Sequence, residues 1–476
     1  MRWSVPGAAG AESWRGARVI EQESTLATTA PQGVPGPSPG PGATPLPPEL
    51  APAAVERWRS SSGAVVDLLA QARELGGVCA VRLGPRPTVL VTDPEAVRHV
   101  LALHPDRYVK RSHRARVLVG DGVLSATGEP WKRQRRLLQA EFTGAGIRRY
   151  EQRIAGAARR AADRWAQCAR TGTPTDVGED MRFFALDTIW RSLTGHPLDE
   201  TTDRELAAVE AVGAALPSTP SASADATELR TAVAADLARI DAVAEHAITA
   251  ARRGEAGPDG PGLLHVLVDA GKTRPEYTDQ LMRDELVTLL AAGHETTATT
   301  LSWLYLLLAR HPEARRWALG AGGMGSPGRE RAIRALVSET LRLYPPAWLM
   351  PRHAIEDDTL TGYRIAAGTD IFVCPYLTHR DPALWPEPNR FAPERFTAAD
   401  EDRPSSRHGA YYPFGIGARA CLGAQFAMRE MTVLLEHLLP AFTPSFHTTP
   451  TSAVFGLTVR PDGPMPATIT PVPDGS

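Results

Sequence analysis

Two stretches of this sequence carry residue types that could do chemistry. The first is Pro413-Phe414-Gly415-Ile416-Gly417-Ala418-Arg419-Ala420-Cys421-Leu422-Gly423. It reads as a glycine-punctuated loop that delivers one cysteine to the start of a helix. Gly415, Gly417 and Gly423 permit turns and close backbone approaches that a side chain would block. Beyond Cys421, Phe426, Ala427, Met431, Leu434, Leu435 and Leu438 recur at the three- and four-residue steps of a helix. A cysteine at a helix N-terminus meets the positive end of the dipole and free N–H groups, which favour a thiolate. A thiolate suits a soft metal or a haem iron. Taken alone, Cys421 reads better as a buried structural cysteine.

The second stretch is Ala291-Ala292-Gly293-His294-Glu295-Thr296-Thr297, at the middle of a helical span predicted over Asp284 to Arg310. Glycine and threonine weaken helices, and threonine can bond back to the i−4 carbonyl and bend them. A long apolar helix with a polar defect at its centre points to a functional site. The competing reading is a solvated patch on an amphipathic helix. A carboxylate beside a hydroxyl, here Glu295 and Thr296, can position water and relay protons.

Composition narrows the class. The chain has 476 residues, 43% of them hydrophobic, enough to bury a sizeable core. A net charge of -2 argues against nucleic-acid binding. Cys79, Cys168, Cys374 and Cys421 are widely spaced, suggesting neither a zinc site nor a disulfide framework. No secretory signal is legible. The apolar stretch Leu286 to Ala309 contains His294, Glu295 and five threonines, so it fails as a membrane span. A soluble, cytoplasmic protein is expected. Nine prolines between Pro31 and Pro52 mark residues 1–50 as a disordered or extended leader. Residues 51–476 are then expected to form a single domain.

The pattern Phe414-x-x-Gly417-x-Arg419-x-Cys421-x-Gly423 resembles the haem-binding loop of the cytochrome P-450 superfamily at every fixed position. The resemblance implies haem b with Cys421 as its fifth iron ligand. Phe414 would pack beside the sulfur and Arg419 would pair with a haem propionate. Ala292-Gly293-x-Glu295-Thr296-Thr297 matches the family's I-helix motif. There the glycine opens a groove for dioxygen and the acid–alcohol pair manages protons. His294 occupies the motif's variable position and receives no role. Splitting dioxygen at a haem iron needs two protons, and a thiolate ligand promotes the cleavage.

Three weaker motifs follow the same order as in the family. Trp131 and Arg135 are four apart and share a helix face. Alone they suggest an amphipathic surface helix; by resemblance both reach a propionate. Glu339-x-x-Arg342 would be a common surface pair on its own. With Pro393-Glu394-Arg395-Phe396 it resembles the family's buried network that supports the cysteine loop. Arg352 matches a second propionate-binding arginine.

The implied fold is mainly α with small β-sheets, a triangular prism with haem buried between the I and L helices. The implied activity is insertion of one oxygen atom from dioxygen, by hydroxylation or epoxidation, into a medium-sized lipophilic substrate. A peroxygenase or isomerase, a fatty-acid hydroxylase and a non-enzymatic haem sensor are the alternatives; the intact acid–alcohol pair counts against the first and last. Electrons are expected from a separate ferredoxin with its NAD(P)H-dependent reductase, because no flavin or iron–sulfur module is legible. A monomer is expected. Lys132, Arg133 and Arg136 would either greet an acidic partner or form a solvated basic face. Ala-, Arg-, Gly- and Pro-rich composition suggests a high-GC bacterial genome, and the resemblance then implies a role in secondary metabolism, on terpenes, polyketides or similar compounds.

The remaining elements must position these residues. Val78 to Leu83 and Thr88 to Val91 are predicted strands, and Asp93-Pro94 is a predicted helix start. By the same resemblance, Val109 to Ser125 is expected as a variable loop over the substrate, and Leu216 to Ala224, a loop between two helices, as a channel lid. Thr359 to Ile365 and Asp370 to Pro375 read as strands around the Ala366-Ala367-Gly368 turn. Short strands are expected over Thr451 to Thr470. Ala347 to Met350 and Val454 to Leu457 are candidate pocket linings. Gly320-Ala321-Gly322-Gly323-Met324-Gly325 formally satisfies GxGxxG but follows a helix, so it reads as a linker and not a dinucleotide site.

Overall fold

The computed structural model describes residues 44–60, 65–84, 86–112, 115–216, 226–397, 409–450 and 452–472. Helices dominate, and the strands form four small sheets among the described residues. The longest element is the central helix Asp279–Arg310, of 32 residues. It starts before the predicted Asp284 because Thr278 caps it, its hydroxyl accepting the Leu281 N–H at 3.2 Å. Leu286, Val287, Leu290, Leu301, Leu304 and Leu306 are all buried around it. A helix that buries apolar residues on every side must be enclosed by others. Helices Val177–Thr194, Glu200–Ala215, Ala234–Arg252, Pro327–Leu343 and Ala424–Leu438 all pack on it.

The largest sheet has five strands. Val78–Ala80 pairs antiparallel with Thr88–Val91, which runs parallel to Asp370–Val373. Met350–Ala354 follows antiparallel, with Tyr108–Lys110 at the far edge. This register sets Lys110 opposite Arg352. Helix Pro94–Arg98 leaves the sheet as predicted: the Asp93 carboxylate accepts the Ala96 N–H at 2.8 Å. The strand predicted over Thr359 to Ile365 is instead a hairpin, Asp358–Leu360 with Tyr363–Ile365. It reverses at Thr361 and Gly362, whose φ values are 45° and 88°. Two further strands, Ala453–Phe455 and Val459–Pro461, pair as a C-terminal hairpin.

The leader is shorter than residues 1–50. The Leu50 N–H donates to Ala80 O at 2.9 Å, the Ala80 N–H to Pro48 O at 2.7 Å, and the Arg364 N–H to Pro45 O at 2.8 Å. Residues 45–50 thus extend the sheet edge, and Leu50 is fully buried. Residues 1–43 lie outside the described residues, as do 217–225, most of the predicted lid. The GxGxxG segment joins helices Pro312–Gly320 and Pro327–Leu343, so it is a linker.

Glu339 and Arg342 are completely buried on helix Pro327–Leu343. Arg342 Nε and Nη2 donate to the two carboxylate oxygens, each at 2.7 Å. Arg342 also donates to the carbonyls of His379, Pro388 and Arg390. Glu339 accepts the Ala392 N–H at 2.9 Å and lies 3.6 Å from Arg395 Nε. This is no surface pair. It ties the helix to the segment around Pro393–Phe396, which precedes the cysteine loop. Arg342→Ala would strand the Glu339 charge in the core, costing about 3–5 kcal/mol. Denaturant unfolding checks this, and a cost below about 1 kcal/mol would contradict it.

Candidate functional site

The cysteine loop is shaped by backbone contacts before any side chain acts. Gly415 and Gly417 have φ of 69° and 75°. A Cβ on Gly417 would stand 2.3 Å from Leu101 O, so only glycine fits that approach. The Cys421 N–H donates to Phe414 O at 2.7 Å and closes the loop. Behind it, the Tyr412 N–H donates to His379 Nε2 at 3.0 Å. Gly423 differs from expectation: its φ is -88°, and a Cβ there would meet no protein atom within 4 Å. The helix that follows is Ala424–Leu438. Phe414 is half-buried against its apolar face.

Cys421 keeps accessible surface. Even so, surrounding protein is the main influence on its thiol, which burial pushes up; the Gly423 amide, Arg135 and Lys110 pull the other way without reversing it. The dipole argument alone was therefore too simple, because desolvation outweighs it in the unligated chain.

Four cations gather about this thiol. Arg419 lies over the Trp131 ring at 3.9 Å, and Arg135 lies 5.9 Å from the same ring. Trp131 and Arg135 share helix Gly128–Gln139, as predicted. Arg352, on its strand, is buried, and burial lowers its guanidinium to about 10. Burial, then Arg352 and Arg135, lowers Arg419 to about 10 as well. Lys110 drops to about 7, through burial and the repulsion of Arg352 and Arg419. None of the four has a carboxylate in ion-pair reach among the described residues. Arg419 Nη2 donates to Ala126 O at 2.8 Å, but Nη1 is buried with no partner. Buried, unpaired charge of this kind is costly. The donor set fits a ligand with two carboxylates and a soft metal, which is what haem b presents.

Lys110 was missed in the sequence, where it sat unremarked in the variable loop. The available signal was a lysine in a short strand; its cross-strand partner Arg352 emerges only from the register. By contrast, Lys132 pairs with Glu129 at 2.7 Å and Arg133 lies 3.8 Å from Glu276, both pairs exposed.

On the central helix, four consecutive residues each reach different partners. Buried His294 places Nδ1 2.6 Å from Leu290 O and Nε2 3.3 Å from Glu210 of helix Glu200–Ala215. Glu295 accepts the Thr458 hydroxyl at 2.7 Å. The Thr296 hydroxyl donates to Ala292 O at 2.8 Å. The Thr297 hydroxyl donates to Glu430 at 2.7 Å, joining the central helix to the cysteine helix. Ala292 is exposed, whereas Gly293 faces Ile189, whose side chain a Cβ would approach to 3.1 Å. The small residue lets helix Val177–Thr194 lie close. The loop ahead of helix Gly128–Gln139 docks on the same helix. There the Asp121 N–H donates to Asp284 at 2.8 Å and the Val123 N–H to Glu285 at 3.0 Å.

The comparisons with known proteins agree with this geometry. The sequence matches the family described as Cytochrome P450 over residues 57–317 and 332–463. The break between them contains the glycine-rich linker. Cyclooctatin synthase of Streptomyces melanosporofaciens is 33% identical over 386 residues, 76% of this chain and 81% of that protein. Cyclooctat-9-en-7-ol 5-monooxygenase of the same organism is 30% identical over 388 residues, again 76% and 81%. The crystal structure of the cytochrome P450DA haem domain superposes with a TM-score of 0.77 at 25% identity, covering 90% of this chain and 98% of that one. CYP175A1 of Thermus thermophilus gives 0.68 at 28%, covering 89% and 99%. The fold is that of a cytochrome P450 haem domain. The chain belongs to the cytochrome P450 family, whose haem is thiolate-ligated, and is a monooxygenase. No helix among the described residues is long and apolar enough to cross a membrane.

Glu430 is the second residue the sequence reading missed. A carboxylate within the apolar stripe of Phe426, Met431 and Leu434 was its only sign. Burial pushes this carboxyl up to about 8, with the Thr297 hydroxyl opposing. An unfolded glutamate titrates near ~4.3. Stability from this group is therefore complete below about pH 4 and is lost as pH rises through about 8. Glu430→Gln removes the titration and keeps an acceptor for Thr297. Its melting temperature should exceed that of the parent near pH ~9, the gap closing toward pH ~5. A gap that does not vary with pH contradicts the buried, protonated assignment.

Proposed function

We propose that this chain binds haem b through the Cys421 thiolate and oxygenates a medium-sized lipophilic substrate of the terpenoid kind. The observation that carries the proposal is the unpaired positive charge of Lys110, Arg135, Arg352 and Arg419 around one thiol. Two propionates would neutralise that charge, and Arg419 Nη1 has a donor to spare. Trp131 fixes the Arg419 guanidinium by stacking under it. Phe414 would shield the sulfur, and Gly417 and Gly423 would leave room for the haem beside the loop. Haem held there supplies the oxidising chemistry, placing one atom of dioxygen into an unactivated C–H bond or a double bond with two electrons and two protons.

The chain's own part is binding, orientation and proton supply. Glu295 is the carboxylate that brings protons in from outside the pocket, and Thr296 Oγ1 holds the water that hands them on. Ala292 and Gly293 form the wall beside them. Ala347 to Met350 and Val454 to Leu457 are the segments that would border the substrate space and exclude water. The reading of the substrate rests on the relatives: one is named for 5-monooxygenation of cyclooctat-9-en-7-ol, a lipophilic ring alcohol by its name. Residues 45–472 act as a single cytoplasmic, monomeric domain, taking electrons from a separate ferredoxin and its NAD(P)H-dependent reductase.

The test reconstitutes the purified protein with ferredoxin, ferredoxin reductase and NADPH. Lipophilic ring alcohols are first screened by the spin-state shift of the haem spectrum. Thr296→Ala should keep its haem yet lower product formed per NADPH by about tenfold or more, with the difference appearing as peroxide. Unchanged coupling in that variant would remove the proton-relay assignment.

A further inference from the structure

We infer that Thr458 is a positioning residue for proton delivery, holding the Glu295 carboxylate in place from outside the central helix. This rests on the reading of Glu295 as the proton-relaying acid. Thr458 is buried, and its hydroxyl donates to Glu295 Oε1 at 2.7 Å across 163 residues of sequence. Glu295 has no other hydrogen bond to a side chain among the described residues. A flexible carboxylate on a helix would otherwise sample several rotamers, and proton transfer needs one geometry.

The mount that carries Thr458 is rigid. It sits in the turn between strands Ala453–Phe455 and Val459–Pro461. Two buried tryptophans brace the turn on either side of it. The Trp348 indole N–H donates to Gly456 O at 2.9 Å, and the Trp303 indole N–H donates to Val459 O at 2.9 Å. Trp303 belongs to the same central helix as Glu295, and it stacks on Tyr344 with ring centroids 3.8 Å apart and planes 5° from parallel. Trp348 meets Phe455 edge-on at 5.1 Å. The Val459 N–H is tied to Pro346 O at 3.2 Å. The hairpin is therefore locked to the helix through Trp303 and to the segment after helix Pro327–Leu343 through Trp348, with the Thr458 hydroxyl between the two. A hydroxyl held this way pre-organises the acid it bonds, at no cost in reorganisation when protons move. The neighbouring Leu457 remains 53% exposed, so the turn leaves one apolar side chain accessible while the hydroxyl beside it is buried.

The experiment compares Thr458→Val, Thr458→Ser and Glu295→Gln as purified holoproteins. Infrared difference spectra against Glu295→Gln isolate the bands of the Glu295 carboxyl group. They should shift in Thr458→Val and stay near the parent position in Thr458→Ser. Product per NADPH should fall by about threefold or more in Thr458→Val, recover in Thr458→Ser, and fall no further when Glu295→Gln is added to Thr458→Val. If Glu295→Gln lowers coupling while Thr458→Val changes neither the bands nor the coupling, the positioning role is wrong and the relay stands. If Glu295→Gln itself leaves coupling unchanged, the relay reading fails and this inference falls with it. Equal losses in Thr458→Val and Thr458→Ser would assign the residue to packing alone and overturn the inference.

Discussion

Positive charge without a carboxylate counter-charge among the described residues is the constraint on which the rest of this structure depends. Lys110, Arg135, Arg352 and Arg419 are driven together around Cys421, and burial and mutual repulsion lower Lys110 to about 7. Such a cluster is held together only if surrounding structure over-determines it. The fold does so from several directions: strand register sets Lys110 against Arg352, the Trp131 ring seats Arg419, and the Glu339–Arg342 pair anchors the segment ahead of the loop. Gly417 then brings the loop backbone against Leu101 at a distance that no side chain permits. The haem proposed to bind here would bring two carboxylates to offset that repulsion, and a ligand that binds only the folded chain adds to its stability.

The central helix distributes control over the other side of the site. Its residues 294 to 297 face four directions, because successive helical positions turn by about 100°. His294 reaches Glu210 on helix Glu200–Ala215, Glu295 reaches the C-terminal hairpin, and Thr297 reaches the cysteine helix through Glu430. A single polar motif in an apolar helix thus connects helix Glu200–Ala215, the C-terminal hairpin and the cysteine helix. Its threonines are tolerated in the helix interior because each hydroxyl has an acceptor: Thr296 bonds back to Ala292 O and Thr297 bonds across to Glu430.

What was legible in the sequence is what nearby residues encode together. Cys421 with its glycines, the Trp131–Arg135 face, the polar defect at Glu295 and Thr296, and the Asp93–Pro94 cap are local patterns that spacing marks, while the roles of Cys421, Trp131 and Arg135 were readable only through the resemblance. Arg352 and the Glu339, Arg342 and Arg395 network became readable through motif order and resemblance. Lys110, Glu430 and Thr458 stayed hidden because each owes its place to a partner 133 to 242 residues away. Periodicity also misplaced edges. Thr278 extends the central helix, Thr361 and Gly362 break a predicted strand into a hairpin, and residues 45–50 join the sheet despite their prolines, because a sheet edge asks little of backbone N–H groups.

The most direct test of the account is the reduced, carbon-monoxide difference spectrum of the purified protein beside its Cys421→Ser variant. The account predicts a red-shifted, thiolate-type Soret band in the parent protein and its absence in the variant. An imidazole-type band, or the same band in both proteins, would show that the iron is held by another residue and would contradict the central claim.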